Sequence, residues 1–134
     1  MNQNKQIEIW SCCGNLLTQD HGLDQKKHNY KFCNFNFYKN SHAAMAVDLM
    51  KNGIRIQLYI NDKTIYDYLV KHRNEIHDKL GYELVWYTAP SKEAFRVYKM
   101  IESSGYEYKK SEILAKEIIE NVYELKEVLK NYLP

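Results

Sequence analysis

The most constraining feature is a pair of apolar-alternating segments joined by Asn52-Gly53. Ile54, Ile56, Leu58 and Ile60 alternate with Arg55, Gln57 and Tyr59, and Met45, Val47 and Leu49 alternate with Ala46, Asp48 and Met50. A period of two places one set on a buried face and the other on a face covered differently. Asn-Gly favours a type I′ turn, because both central residues then take positive φ. With Asn52 and Gly53 as those residues, Lys51 lies opposite Ile54, Leu49 opposite Ile56, Val47 opposite Leu58 and Met45 opposite Ile60. Every apolar residue then meets an apolar partner, and a slip of one residue would break all the pairs. The other face receives Met50 beside Arg55, Asp48 beside Gln57 and Ala46 beside Tyr59, with Asp48 within reach of an ion pair to Arg55.

The flanking segments read in both directions from this hairpin. Asn61-Asp62 is expected to cap a helix, whose stripe Ile65, Leu69, His72, Ile76 and Leu80, with Tyr68 beside it, recurs at four-residue steps up to a Gly81 stop. Leu84 to Tyr87 and Phe95 to Ile101 read as strands. Ser111 is expected to cap a last helix with the stripe Leu114, Ile118, Val122, Leu125, Leu129 and Tyr132; it is a core stripe, or alternatively a short dimer seam. Towards the N-terminus, Gln6 to Gln19 reads as a helix with Ile9, Trp10, Cys13, Leu16 and Leu17 on one side, and Gln19 to Asn29 as a loop. Tyr30 to Tyr38 reads as an aromatic strand. Tyr30 and Phe32 fall out of phase with Phe35 and Phe37, which a bulge near Cys33-Asn34 would reconcile. A three-residue loop after it sets Phe37 opposite Met45 and Phe35 opposite Val47. The order is α-β-β-β-α-β-β-α in one domain, 1–134, an α+β fold with an antiparallel or mixed five-stranded sheet and packed helices.

Composition bounds function weakly. The 134 residues are 45% hydrophobic and 27% charged with a net charge of +2, so a nucleic-acid role would have to rest on local clustering. No apolar run reaches membrane-spanning length and no signal-peptide pattern occurs, so cytoplasmic residence and no membrane role are expected. Cys12, Cys13 and Cys33 are an odd number without a framework spacing and read as reduced thiols. Cys12, Cys13, His21 and His28 do not make a metal set, because adjacent cysteines diverge on a helix. His72 reads as a half-buried, satisfied histidine and His77 as exposed. No phosphate loop, His-Glu-x-x-His or Gly-x-Ser-x-Gly pattern is present, so no catalytic residue, metal ligand or cofactor is assigned.

One arrangement touches on catalysis. Helix, three strands, helix, strand is the core order of the PD-(D/E)xK nucleases, which put one acid on the second strand and acid-x-Lys on the third to hold a divalent cation and activate water. Here Asp48 stands on the second strand, but the third offers Gln57-Leu58-Tyr59, an amide and a phenol where an acid and a lysine are needed. A degenerate nuclease therefore ranks last among the readings.

Three stretches, Ile54-Arg55-Ile56-Gln57-Leu58-Tyr59-Ile60, Lys79-Leu80-Gly81-Tyr82-Glu83-Leu84-Val85-Trp86 and Ala94-Phe95-Arg96-Val97, carry a resemblance. Through them, residues His28 to Leu133 resemble an uncharacterised bacterial domain, the domain of unknown function family 4268. The family tends to carry Glu at the position of Gln57. The resemblance implies a C-terminal module often attached to nuclease-like or restriction-type proteins, with no established activity.

Two functions follow as expectations. The first is a non-catalytic accessory or interaction module linked to nucleic-acid metabolism or defence, whose partner is a nuclease-type protein or nucleic acid. Its candidate binding residues are Arg55, Gln57, Tyr59, Arg96 and Tyr98, because Arg and Tyr interleaved on a sheet suit phosphate contact and base stacking. Asp48 beside Arg55 lowers the potential felt by a phosphate, so weak nucleic-acid binding and a protein occupant are expected. The alternative is a protein-interaction or homodimerisation domain using the same face or the last helix. Whether Arg96 and Tyr98 join Arg55 on one face depends on strand order.

Overall fold

The structure is a computed structural model that describes residues 1–17, 23–24, 30–36, 38 and 42–134. It is an α+β domain with the expected element order. Helix α1 spans Gln3–Leu16 and the strands are β1 Leu23–Asp24, β2 Phe32–Phe35, β3 Ala43–Met50 and β4 Gly53–Ile60. Helices α2 (Lys63–Lys71) and α3 (Arg73–Leu80) precede β5 (Val85–Thr88) and β6 (Phe95–Ile101), and α4 (Ser111–Leu129) closes the chain. Every described strand pairing is antiparallel, and the sheet order is β1-β2-β3-β4-β6-β5. Five strands carry the sheet; β1 adds two residues at its edge, within the stretch expected to be loop.

The hairpin faces are as expected, but its register is not. Met50 lies opposite Gly53, so Lys51 and Asn52 form the turn, and Leu49 faces Ile54, Val47 faces Ile56, Met45 faces Leu58 and Ala43 faces Ile60. Relative to the expected pairing the strands slide by two residues, which preserves both faces because the side-chain period is two. The type I′ turn is absent: positive φ falls on Gly53 (149°) and not on Asn52. Gly53 is needed at the strand head for another reason. A Cβ there would stand 2.9 Å from the Glu102 carbonyl oxygen at the end of β6.

The buried face is continuous. Met45, Val47, Ile54, Ile56, Leu58, Ile60 and Val97 are fully enclosed under Ile9 and Cys13 of α1, Leu69 of α2, Ile76 of α3 and Leu114, Ile118, Val122, Leu125 and Leu129 of α4. At roughly 25 cal/mol per Å² of apolar surface, each of these large side chains contributes about 1.5–3 kcal/mol. The α4 stripe is spent inside its own fold, so it is not a dimer seam. Ser111 is the first residue of α4 rather than its cap; it is buried and its hydroxyl has no partner among the described residues.

Other expectations need correction. Asp62 caps α2 as expected, accepting from the Thr64 (2.8 Å) and Ile65 (3.2 Å) amides, and Gly81 ends α3 at φ 83°. The helix between them breaks at His72, where φ −101° and ψ 15° interrupt the ladder and the His72 amide turns back to Leu69. No Pro or Gly announces that break. Tyr68 and Leu16 are exposed, and Trp86 is only half-buried because β5 is an edge strand. Strand β2 covers only Phe32–Phe35 and pairs with β3 without a bulge, so Phe35 faces Met45 and Cys33 faces Val47 in the core, and Phe32 points to the opposite face. Phe37 lies outside the described residues, as do His21 and His28.

Candidate functional site

The side of the sheet away from the helices carries the candidate residues. Strand β4 supplies Arg55, Gln57 and Tyr59 at alternate positions. Its neighbour is β6, with Gln57 opposite Tyr98 and Tyr59 opposite Arg96. The strand order therefore brings all five sequence candidates onto one face. On the other side of β4, Asp48 lies directly opposite Arg55, and Ala46 opposite Gln57.

The five side chains and Asp48 form one bonded network. Arg55 Nε donates to Asp48 Oδ2 at 3.0 Å, and the Gln57 amide nitrogen donates to the same oxygen. The Gln57 carbonyl accepts from Arg96 Nη1 at 3.4 Å. Arg55 lies over the Tyr98 ring (5.5 Å to the centroid) and Arg96 over the Tyr59 ring (5.6 Å). Each guanidinium thus has an aromatic face as well as a hydrogen-bond partner, an arrangement that suits its planar, weakly hydrated charge.

Gln57 is the pivot. It is only 3% exposed, and both ends of its amide are used. A carboxylate at this position could accept from Arg96, but it could not donate to Asp48. Asp48 and Arg55 are each about four-fifths covered, so their ion pair is screened less than a surface pair. No described carboxylate pairs with Arg96. Over the network lies a cavity of about 440 Å³, floored by Ala46 and Gln57 and walled by Phe32, Asn34, Tyr59 and Arg96.

The remaining sequence candidates fall elsewhere. Cys13 and Cys33 are buried, Cys12 is half-buried, and none of the three is in a disulfide. Burial pushes the Cys13 thiol well up, and the Cys12 thiol is raised by burial and then by Glu112 and Glu8, so neither is an activated nucleophile. Among the described residues no three His, Cys, Asp or Glu side chains converge as metal ligands. His72 is half-buried and pairs with Glu75 at 3.3 Å. His77, expected to be exposed, is half-buried: its Nε2 accepts from the Leu84 amide and from the Trp86 indole, both at 3.1 Å, and so anchors β5 to α3. Nothing in the local sequence signals that role, because donor and acceptor meet only when the chain turns at Gly81. No described helix is long and apolar enough to cross a membrane.

The fold and this face define a class: an α+β sheet domain with one face sealed by helices and the other left polar, aromatic and concave. Residues 6–133 match the model of Domain of unknown function (DUF4268), and the chain belongs to that family. No curated protein matches the chain. No solved structure does either.

Proposed function

We propose that this domain is a non-catalytic interaction module, resident in the cytoplasm and serving nucleic-acid metabolism or defence, and that the open sheet face is its working surface. The observation that carries the reading is the convergence of Arg55, Gln57, Tyr59, Arg96 and Tyr98 on a concave face whose cavity no described helix lines. Polar and aromatic side chains held in place by mutual bonds are preorganised, which reduces the ordering cost of binding. The bonding of Asp48 supports a non-catalytic role: one oxygen serves Arg55 and Gln57 together, and the strand that would supply a second acid supplies the amide instead. With Mg²⁺ or Mn²⁺ and single-stranded or duplex DNA, the protein is expected to cleave nothing. Cleavage abolished by Asp48→Ala would overturn this part of the reading. Three cysteines with no disulfide between them fit a reducing compartment. Site-specific photo-crosslinking in cells tests the face itself. A photoreactive residue at Tyr98 is expected to give a discrete adduct, and one at the exposed Glu120 on α4 is not. Equal adducts from both positions would refute the assignment.

A further inference from the structure

We infer that the outer edge of β5 is a docking site for a second copy of this chain, joined strand to strand. Strand β5 ends the sheet order, so one of its two sides faces no strand among the described residues. The pairing with β6 fixes which backbone groups lie on that side. The Ala89 amide donates to the Ala94 carbonyl at 2.8 Å, and the register continues through Tyr87 opposite Arg96 and Val85 opposite Tyr98. Bonded and non-bonded positions alternate along an antiparallel pair. Val85, Tyr87 and Ala89 therefore bond inward to β6, while Leu84, Trp86, Thr88 and Pro90 turn their backbone groups outward. The Leu84 amide agrees with this phase, since it donates to His77 Nε2 at 3.1 Å. Pro90 has no N–H to offer. The outer edge is thus closed at both ends and open at Trp86 and Thr88, with two N–H and two C=O groups.

Those four groups select one antiparallel register for a second copy. With Trp86 of each copy opposite Thr88 of the other, every open N–H meets an open C=O, and four hydrogen bonds close around a two-fold axis at Tyr87. A slip of two residues sets Thr88 against Leu84, whose amide is taken, or Trp86 against Pro90; a slip of one exchanges the faces. The side chains agree with this register. Val85 and Tyr87 are 46% and 42% exposed, and β5, Val-Trp-Tyr-Thr, carries no charge of the kind that guards a free edge. Tyr87 then faces Tyr87 of the second copy with Val85 diagonal to it, and aromatic and β-branched neighbours stabilise such contacts. A foreign extended segment could make the same backbone bonds, but it would first have to be ordered, whereas the edge of a second copy is already a strand. The two-fold axis stands perpendicular to the sheet, so the two open faces lie side by side on one surface. The contact is small, so the dimer is weak and depends on concentration.

The test is sedimentation velocity of the intact chain over a dilution series, with a thermal melt of each variant to confirm folding. Wild type is expected to pass from dimer to monomer on dilution. Thr88→Pro removes one outward N–H per copy and leaves the ladder to β6 untouched, and it is expected to weaken the dimer at least about tenfold. Tyr87→Glu and Tyr87→Lys each set like charges face to face across the axis and are each expected to be monomeric. Mixed in equal amounts, these two variants are expected to form a mixed dimer, because opposite charges then meet. Ile113→Glu, at an exposed apolar residue of α4, is expected to change nothing. A chain that stays monomeric at every concentration overturns the inference. So does a dimer that Ile113→Glu abolishes or that the Tyr87 variants leave intact, and so do Tyr87 variants that dissociate alone and do not recombine. A monomeric chain whose photoreactive residue at Val85 captures another protein in cells also overturns it, and assigns the edge to a foreign strand.

Discussion

Replacing Gln57 by Glu exchanges one nitrogen for an oxygen and should reverse the local electrostatics. The wild-type amide donates to Asp48 and accepts from Arg96 at a position 3% exposed. The substitution removes the donor, and a hydrogen bond to a charged group contributes about 1.5–3 kcal/mol. It also sets a second negative charge against Asp48. Two like charges about 4 Å apart repel by about 4 kcal/mol at an effective dielectric constant of 20. Arg55 and Arg96 recover part of that loss, leaving a net destabilisation of about 2–4 kcal/mol at neutral pH, or a fall of about 10 °C in Tm for a chain of this size. The cost is linked to protons. Between two carboxylates, the folded-state pKa of the new group is raised above its unfolded value, so folding takes up a proton and stability falls as pH rises through that window. Once protonated, the new carboxyl can again donate to Asp48. Urea denaturation followed by tryptophan fluorescence at about pH 7.5 and pH 4.5 should show a large deficit against wild type in the first buffer and a small one in the second. An equal deficit in both buffers would refute the network, and so would none at neutral pH.

Three further outcomes are expected. Leu58→Ala removes a side chain enclosed between Met45 and Val97 and should cost about 2–5 kcal/mol in chemical denaturation; a loss well below this range would argue against the register. Gly53→Ala should cost about 1–3 kcal/mol, because the residue sits at φ 149° with the Glu102 carbonyl 2.9 Å from the new Cβ, and a neutral thermal melt would contradict that close approach. Glu117 is held above its ordinary carboxyl value by its hydrogen bond with Glu102, then by burial and the Glu102 charge, and Glu102 is held below its own value by the same bond and by Lys109. The Glu117 contribution is therefore complete below its unfolded value and lost as pH rises through the folded one. Glu117→Gln, a permanent donor to Glu102, should raise Tm relative to wild type at about pH 7 and not at about pH 4; a difference independent of pH would exclude a shared proton.

The two faces of the hairpin were legible because a strand's side chains alternate, and burial then separates Ile56 and Leu58 from Arg55, Gln57 and Tyr59 wherever the turn falls. The turn itself was not. Asn52-Gly53 is a good local turn pair, yet β6 closes over Gly53 so tightly that the glycine is required at the strand head, and the register moved by two. The same limit applies to α2 and α3: the four-residue stripe picks out Ile65, Leu69 and Ile76 as enclosed, and it carries no information on the break at His72. Cys33 and Phe35 reached the core without a bulge because the strand was shorter than its aromatic run implied.

By itself, the alternation of apolar residues determined the α+β class, the element order and which side chains of β4 share a face, since these depend on periodicity and on neighbours in the chain. The union of Arg55, Gln57 and Tyr59 with Arg96 and Tyr98 depended on β6 lying beside β4, a pairing across about forty residues that no local signal encodes. The burial of Gln57 between Asp48 and Arg96, and the capture of the Leu84 and Trp86 donors by His77, were likewise decided only by the tertiary structure. A hydrogen bond needs its two partners within about 3 Å of each other, and it is the packing of distant strands and helices that sets that separation.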